Sequence, residues 1–401
     1  MPDNRKMNLK FASRAVHAGE RPAPRDFVPI ATPIYASSSF VYDDLDQMDA
    51  ALGGAEGVFV YSRYGNPTVE AMESAVAALE EQDAALGVST GMAAVNLALL
   101  ACAKSGTRFV ASRDLYGASV KLLDVIYRTL GVETEFVDIR DLEALELALS
   151  HGEVRAVIAE SISNPLLRVT DIAAVAERAH SVGARLIVDN TFATPVLLRP
   201  GPLGADYVVH STTKYLGGHG DVTSGVIAAS SERRAELNDL NKSTGGVVSP
   251  FDAWLVLRGI KTLPLRVERQ CRSAAIVADW LFHHPKLEWV YYPGLSGHES
   301  HDSAKEQFPS GIYGGMISFE IRDGNREKVF RFLRALEMIA PATTLGDVYT
   351  LVLYPVMSSH RALTTEQRAQ VGISEGLVRL SIGIEDPVDI ISDLERALEA
   401  I

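Results

Sequence analysis

The sequence predicts an α/β fold, in which a large domain on a mostly parallel sheet covered by helices precedes a smaller C-terminal α/β domain. Three observations predict this. Short apolar runs alternate with stretches of helical spacing between residues 69 and 209, the pattern of βαβ units. A long helical stretch then interrupts the alternation, and a shorter set of strands and helices follows it. The 401 residues are enough for two or three domains.

The elements follow in order. Residues before about 60 show no strong period and contain several prolines, so we expect an arm at 1–63. Helical spacing starts at Val69, and we expect a large domain at 64–262. Its predicted strands are 84–88, 108–111, 134–137, 154–159, 186–188 and 207–209, and its predicted helices are 93–101, 119–130, 142–149 and 172–182. The pattern at 258–278 predicts one helix bent at Pro264. A C-terminal domain at 263–401 then carries strands 316–321 and 377–382 and helices 326–336 and 388 onward.

The composition excludes several classes of protein. A net charge of −13 argues against binding to nucleic acid, which requires clustered Lys and Arg. The most apolar run, 88–103, is interrupted by polar residues and does not predict a membrane span. The start of the chain lacks the apolar segment of a secretory signal, and two cysteines cannot form a disulfide framework. We therefore expect a cytoplasmic protein.

Lys214 follows an apolar strand pattern and precedes the glycine pair 217–218. Ser211 and Thr213 stand beside it. A neutral lysine amine condenses with aldehydes, and hydroxyls can donate to phosphate oxygens, so this run suits the binding of pyridoxal phosphate (PLP). The run is equally typical of an ordinary strand end.

Asp189 ends another apolar strand pattern, 185–189. Ligands of open α/β sheets bind at the carboxyl ends of the strands. A carboxylate there keeps a pyridine nitrogen protonated, as PLP chemistry requires. The alternative is that Asp189 only caps the following turn.

Seven motifs occur in one order along the chain. They are 61–68, 90–92, 115–117, 160–165, 188–191, 210–221 and 376–381. Together they resemble the trans-sulfuration (Cys/Met metabolism) family of PLP-dependent enzymes, which includes cystathionine γ-synthase, cystathionine β- and γ-lyases, methionine γ-lyase and the homoserine-ester sulfhydrylases. The resemblance covers the chain from about residue 14. It implies PLP as cofactor and fold type I, the aspartate aminotransferase-like fold of PLP-dependent transferases.

The phosphate of the cofactor needs several donors. The segment 90–92 opens a helix, and free backbone N–H groups at such a start form an anion site. Simple N-capping by Ser89 or Thr90 explains the same residues. The resemblance implies that Gly91 and Met92 donate from the backbone, while Ser211 and Thr213 donate hydroxyl groups.

The resemblance also implies a site shared between subunits. Tyr61 and Arg63 are expected to reach the phosphate of a neighbouring subunit, on which the arm lies, and Tyr61 is also assigned to the substrate site. We therefore expect a homotetramer built as a dimer of dimers. No nucleic acid or membrane partner is expected.

Four further residues are assigned to the ring or the substrate. The family stacks the residue at Tyr116 on the pyridine ring and uses its hydroxyl in acid–base chemistry. Arg379 lies in an alternating strand, so it either points to solvent or meets an anion; in the family it holds the substrate α-carboxylate. Asn164 either forms a turn or lies near the ring hydroxyl. Thr344 stands where the family commonly has serine, and keeps the hydroxyl.

The histidines do not predict a metal site. His210, His219 and His360 match no metal-ligand spacing, and Lys214 already supplies a base. We interpret them as structural residues or as supports of the site, and expect no metal.

The predicted reaction is γ-elimination from a sulfur-containing amino acid of the methionine, homocysteine or cystathionine type, which gives 2-oxobutanoate, ammonia and a thiol. Val60 and Thr343 stand where family members that handle cystathionine carry acidic residues, which favours an uncharged γ-substituent. Ala118 stands where methionine γ-lyases usually carry cysteine, which weakens the methionine assignment. γ-Replacement, as in cystathionine γ-synthase or an O-acylhomoserine sulfhydrylase, is the alternative. A β-lyase or an aminotransferase fits less well.

Overall fold

The computed structural model describes residues 9–18, 29–42, 44–55, 57–309, 311–358, 361 and 364–401, which form two β-sheets covered by helices. The strands of the first sheet are β1 (Ala84–Val88), β2 (Arg108–Ser112), β3 (Glu133–Val137), β4 (Val154–Glu160), β5 (Arg185–Asp189), β6 (Tyr207–Ser211) and β7 (Gly225–Ala229). Those of the second sheet are β8 (Leu287–Tyr291), β9 (Met316–Ile321), β10 (Ala340–Pro341), β11 (Leu351–Leu353) and β12 (Leu377–Ser381).

Helices connect and cover both sheets. In chain order they are α1 (Phe11–His17), α2 (Leu45–Leu52), α3 (Pro67–Glu80), α4 (Gly91–Leu100), α5 (Gly117–Lys121), α6 (Leu142–Leu149), α7 (Ile172–Ser181), α8 (Thr194–Leu197), α9 (Ser231–Thr244), α10 (Pro250–Ile260), α11 (Leu263–Phe282), α12 (His301–Gln307), α13 (Arg326–Ala335), α14 (Thr365–Gln370) and α15 (Pro387–Glu399). A π-helical turn, Leu122–Tyr127, extends α5. The short helices α1 and α2 lie in the segment that was expected to be irregular.

The large sheet is mostly parallel, as predicted. Its strand order is β1-β7-β6-β5-β4-β2-β3, and β7 is antiparallel to both of its neighbours. Alternate residues of β5 enter different cores: Leu186 and Val188 pack on one face, and Ile187 packs on the other. Burial on both faces explains why these strands read as continuous apolar runs.

Strand β7 was not predicted from the sequence. It fills the position between β1 and β6, and its antiparallel direction places it outside the βαβ alternation used for the other strands.

The predicted bent helix at 258–278 is wrong. Two helices occupy this region, because α10 ends at Ile260 and α11 begins at Leu263. Pro264 lies in the first turn of α11, where the missing N–H of proline costs no hydrogen bond. The proline therefore starts a helix here and does not bend one.

Three parallel neighbours of the large sheet end on polar residues. β4 ends at Glu160, β5 at Asp189 and β6 at Ser211. Because parallel strands present their carboxyl ends at one edge, these side chains meet on one side of the sheet. The second sheet approaches this edge through β12, so that a cavity forms there. Among the described helices, none is long and apolar enough to cross a membrane.

Candidate active site

A cavity of about 470 Å³ lies at the carboxyl edge of the large sheet. Nine of the residues expected at the site line it: Gly91, Met92, Tyr116, Asn164, Asp189, Ser211, Thr213, Lys214 and Arg379. Thr343 lines the cavity as well, whereas Thr344 is not among its lining residues. They come from positions spread between residues 91 and 379. The fold therefore gathers into one cavity residues that the sequence places far apart.

Lys214 lies three residues beyond the end of β6 and points into the cavity. Its Nζ donates to Thr344 Oγ1 at 2.8 Å. Burial, followed by the positive charge of Arg379, lowers the pKa of Lys214 from 10.5 to about 8. A useful fraction of the amine is therefore neutral near physiological pH and able to act as nucleophile or base.

The start of α4 forms one end of the cavity. Thr90 caps the helix, with its Oγ1 accepting from Ala93 N at 2.9 Å. A Cβ atom added at Gly91 would lie 2.6 Å from Ser211 Cβ, so only glycine allows the helix to approach the end of β6 this closely. Gly91 and Met92, whose N–H groups have no partners within the helix, thus line the same cavity as Ser211 and Thr213.

Thr213 is already engaged within the chain. Its hydroxyl accepts from Ser224 N at 3.1 Å and lies 3.3 Å from Ser224 O. The hydroxyl proton of Thr213 is donated to Ser224 O. An anion at the start of α4 would therefore compete with Ser224 O for this proton. The helix N–H groups and the hydroxyls together suit a phosphate group.

Asp189, the last residue of β5, also lines the cavity. Its Oδ1 accepts from Thr191 N at 3.0 Å. Burial raises the pKa of Asp189, and the hydrogen bonds from Thr191 oppose that rise. A buried carboxyl group of this kind gains by meeting a cationic N–H donor, which a protonated pyridine nitrogen provides. Tyr116 stands at the cavity with 42% of its surface exposed, free to cover a flat ring.

Arg379 occupies the opposite side of the cavity. It lies on β12, is only 3% exposed, and donates to Asn164 Oδ1 at 2.8 Å and to Thr344 O at 3.4 Å. Its Nε has no hydrogen-bond partner among the described residues. Burial lowers the pKa of Arg379 to about 10. A buried guanidinium that has a spare N–H and, among the described residues, no carboxylate partner can bind an external anion.

No role was predicted for Glu160, although this residue opens the motif 160–165. Its Oε1 accepts from Tyr116 N at 2.6 Å, which fixes the backbone of Tyr116 beside the cavity. Burial, and then the negative charge of Asp189, raises the pKa of Glu160 well above its usual value. The signal was available, because Glu160 ends an apolar strand just as Asp189 does.

Tyr61 and Arg63 do not reach this cavity. Tyr61 is 43% exposed, and Arg63 lines a separate cavity of about 760 Å³, where it donates to Lys242 O. That cavity is the larger of the two, but it contains neither Lys214 nor Asp189. The expected contact of these two residues with a phosphate stays a prediction about a neighbouring subunit.

The histidines have structural partners. His210 contacts Glu80, and His219 Nδ1 lies 2.8 Å from Gly217 O. His360 lies outside the described residues. Within the described part of the chain, no group of three or more His, Cys, Asp or Glu side chains could hold a metal ion.

The donor set of the cavity fits PLP. Three features match the groups of PLP. The space that only glycine leaves at position 91 suits the phosphate, Asp189 suits the pyridine nitrogen, and Lys214, with its lowered pKa, suits the aldehyde. Residues 12–399 match the model of the family described as Cys/Met metabolism PLP-dependent enzyme. The chain belongs to this family. The predicted family and fold class are thus confirmed.

Individual relatives point the same way. L-methionine gamma-lyase from Porphyromonas gingivalis is 41% identical over 398 residues, covering 98% of each chain. Cystathionine gamma-lyase from Bacillus subtilis is 41% identical over 373 residues, covering 93% of this chain and 95% of that protein. The crystal structure of cystathionine gamma synthase from Xanthomonas oryzae pv. oryzae, in complex with aminoacrylate and cysteine, superposes with a TM-score of 0.92 at 37% identity, covering 98% of this chain and 99% of the other.

Proposed function

We propose that the protein catalyses PLP-dependent γ-elimination from a sulfur-containing amino acid with an uncharged γ-substituent. One observation carries the proposal: Lys214, whose pKa is about 8, and Arg379, whose Nε lacks a partner in the described structure, converge on Thr344 in one cavity. A base and an anion holder at this spacing suit an α-amino acid, which presents an acidic Cα–H next to a carboxylate.

We assign the cofactor to the residues that line the first cavity. Lys214 meets the aldehyde, Asp189 the pyridine nitrogen and Tyr116 the face of the ring. The phosphate is assigned to Gly91 N, Met92 N, Ser211 Oγ and Thr213 Oγ1, with Tyr61 and Arg63 supplied by a neighbouring subunit. When bound, PLP supplies an electron sink that stabilises negative charge on the carbon atoms next to the substrate nitrogen.

The side chains then move protons and hold the substrate. Arg379 binds the α-carboxylate with the N–H that has no other partner, and Asn164 keeps its guanidinium in place. Thr344 holds Lys214 beside Cα. Lys214 removes the proton from Cα and then one from Cβ, because its lowered pKa lets the amine accept protons near neutral pH.

The leaving group departs as a thiol. The Cγ–S bond breaks, the bonding electrons go to sulfur, and Tyr116 Oη or a water molecule donates the proton. Water then replaces the nitrogen on the remaining four-carbon fragment. One substrate and one water therefore give 2-oxobutanoate, ammonia and one thiol, without an oxidant or reductant.

The neutral lining near the reacting end favours an uncharged γ-substituent. Thr343, Leu345, Leu353 and Ser358 form the wall that the second domain contributes. Leu353 pairs directly with Arg379 across β11 and β12, so an apolar side chain flanks the carboxylate holder. A distal ammonium group, as in cystathionine, finds no carboxylate partner on this wall.

The substrate is tested by product analysis. We expect 2-oxobutanoate and thiol in equal amounts from methionine and homocysteine, with a higher kcat/KM than for cystathionine. Thr343→Glu should shift the preference toward cystathionine, because it places a carboxylate at the wall, whereas Thr343→Gln should not. A wild-type preference for cystathionine of tenfold or more, about 1.4 kcal/mol in the transition state, would refute the uncharged assignment.

γ-Replacement is the second candidate, and the likeness to a cystathionine gamma synthase structure favours it. The same proton transfers would serve, but a second thiol would add at Cγ. Thioether formation from O-acetyl- or O-succinylhomoserine plus thiol, with no 2-oxobutanoate from any sulfur amino acid, would identify this activity.

We further propose that each site is shared between two chains of a homotetramer. The position of Arg63, away from the Lys214 cavity, and the exposure of Tyr61 support this. Mixing inactive Arg63→Ala and Lys214→Ala subunits should restore about a quarter of wild-type activity, since half of randomly paired dimers are hybrids with one intact site of two. No recovery after proven subunit exchange would exclude the shared site.

A cytoplasmic location completes the proposal. Cys102 and Cys271 are both buried and free, which suits a reducing compartment.

A further inference from the structure

A buried polar cluster lies on the face of the large sheet opposite the cavity. It consists of Glu80, the last residue of α3, together with Asn190, which directly follows β5, and His210 in β6. Glu80 and Asn190 are fully buried, and His210 is 1% exposed. The proposed reaction uses none of the three, and burying such groups is costly unless they are paired.

The contacts within the cluster converge on one oxygen of Glu80. Glu80 Oε1 accepts from Asn190 Nδ2 at 2.9 Å and also contacts His210 Nε2. Asn190 Nδ2 gives its second proton to Leu198 O at 2.9 Å. Among the described residues, His210 is the basic side chain that pairs with Glu80, while Glu80 Oε2 and Asn190 Oδ1 have no hydrogen-bond partner.

The cluster is joined to Asp189 through the backbone. Asp189 pairs with Val209 in the parallel register of β5 and β6, and Asn190 N donates to Val209 O at 2.8 Å. Successive residues of a strand point to opposite faces. Asp189 therefore faces the cavity while Asn190 faces the cluster. The hydrogen bonds of Asn190 with the cluster thus also fix the end of β5, which carries Asp189.

The electrostatics at Asp189 also involve the cluster. Burial raises the pKa of Asp189, whereas the hydrogen bonds from Thr191 and then the electrostatic effect of His210 lower it. Glu160, at the end of the neighbouring strand, has its pKa raised well above the usual value by burial and then by Asp189. His210 thus acts on Asp189 from behind the sheet and opposes part of the effect of burial.

We propose that Glu80 and His210 are positioning residues for Asp189, holding its carboxyl group aimed at the pyridine nitrogen of the cofactor from behind the sheet. The inference rests on the proposed function, because it requires PLP at Asp189. Neither residue touches the cofactor or the substrate; each acts through Asn190 and Asp189.

The test compares two cofactors on the apoprotein. One is PLP, and the other is deaza-pyridoxal phosphate, in which a carbon replaces the pyridine nitrogen and cannot be protonated. The variants are Glu80→Gln and His210→Gln, measured by binding titration together with thermal unfolding of the apoprotein. The matched control is Glu73→Gln: Glu73 also lies buried on α3, but its partners are Gly87 N at 2.7 Å and Arg234 at 3.1 Å.

We expect the ratio of PLP affinity to deaza-analogue affinity to fall about tenfold in both variants, because a misdirected carboxyl group loses its hydrogen bond with the pyridine N–H, which the analogue cannot form. The ratio should stay at the wild-type value in Glu73→Gln, even if that variant unfolds at a lower temperature. If Glu80→Gln does not fold, His210→Gln alone gives the ratio.

A wild-type ratio in both cluster variants overturns the inference, because the residues would then serve only stability. Failure of the proposed function is distinguished in the same titration, because the unmodified apoprotein would then not bind PLP.

Discussion

Replacing Arg379 by glutamine should raise the pKa of Lys214. The present value, about 8 against an ordinary 10.5, lies about 2.5 pH units low, and burial is the larger of its two causes. The charge of Arg379 thus accounts for less than half of this difference, so we expect the pKa of Lys214 to rise by about one pH unit in Arg379→Gln. At pH 7 the neutral fraction of the amine would then fall about tenfold, from roughly 10% to roughly 1%.

The assay is the rate at which apoprotein captures PLP, followed by its visible absorption between pH 6 and pH 10. Capture requires the neutral amine, so the rate should rise tenfold per pH unit up to a midpoint at the pKa of Lys214. Arg379→Lys is the control, because it keeps the charge and loses only the planar fork. A midpoint that does not move in Arg379→Gln, or that moves equally in Arg379→Lys, would refute the electrostatic coupling.

Two further predictions concern packing and acid stability. Gly91→Ala should destabilise the protein by about 1–3 kcal/mol and weaken PLP binding, because the new Cβ would lie 2.6 Å from Ser211 Cβ; thermal melts and cofactor titration measure both. Burial alone would raise the pKa of Glu299, but hydrogen bonds from Arg168 and a second arginine hold it at about 2. Stability from this depressed pKa is present above about pH 4.5 and is lost as the pH falls toward 2, so Glu299→Gln should flatten this part of the pH–stability curve.

Each of these two predictions, on Gly91 and on Glu299, has its own control. Gly297→Ala adds a Cβ with no atom within 4 Å and should melt like the wild type; equal loss in both glycine variants would contradict the packing argument. For Glu299, an unchanged slope of stability against pH between 4.5 and 2 would show that the arginine contacts do not persist in solution.

The sequence predicted those parts of the site that lie at strand ends. Lys214, Asp189 and Arg379 follow or occupy apolar strands, and the rule that ligands bind at the carboxyl edge of the sheet was enough to bring them together. The same rule applies to Glu160, which ends β4, but its role depends on a hydrogen bond to Tyr116 N that no local pattern indicates.

Other features depend on contacts that are distant in sequence. Glu80 lies 130 residues from His210, and neither position carries a pattern that predicts the other. Pro264 shows a different difficulty, since a proline inside an apolar period is compatible with a bend or with a new helix start. The chain resolves this by ending α10 before the proline, and tertiary packing decides which outcome occurs.

Thr344 has a consequence beyond its two hydrogen bonds. Its hydroxyl meets Lys214, which follows the first sheet, and its carbonyl meets Arg379, which belongs to the second. Neither half of the molecule can assemble the base and the anion holder alone. Turnover therefore depends on the docking of the two halves. In a denaturant series, activity should be lost when the less stable half unfolds, even while the other half keeps its secondary structure.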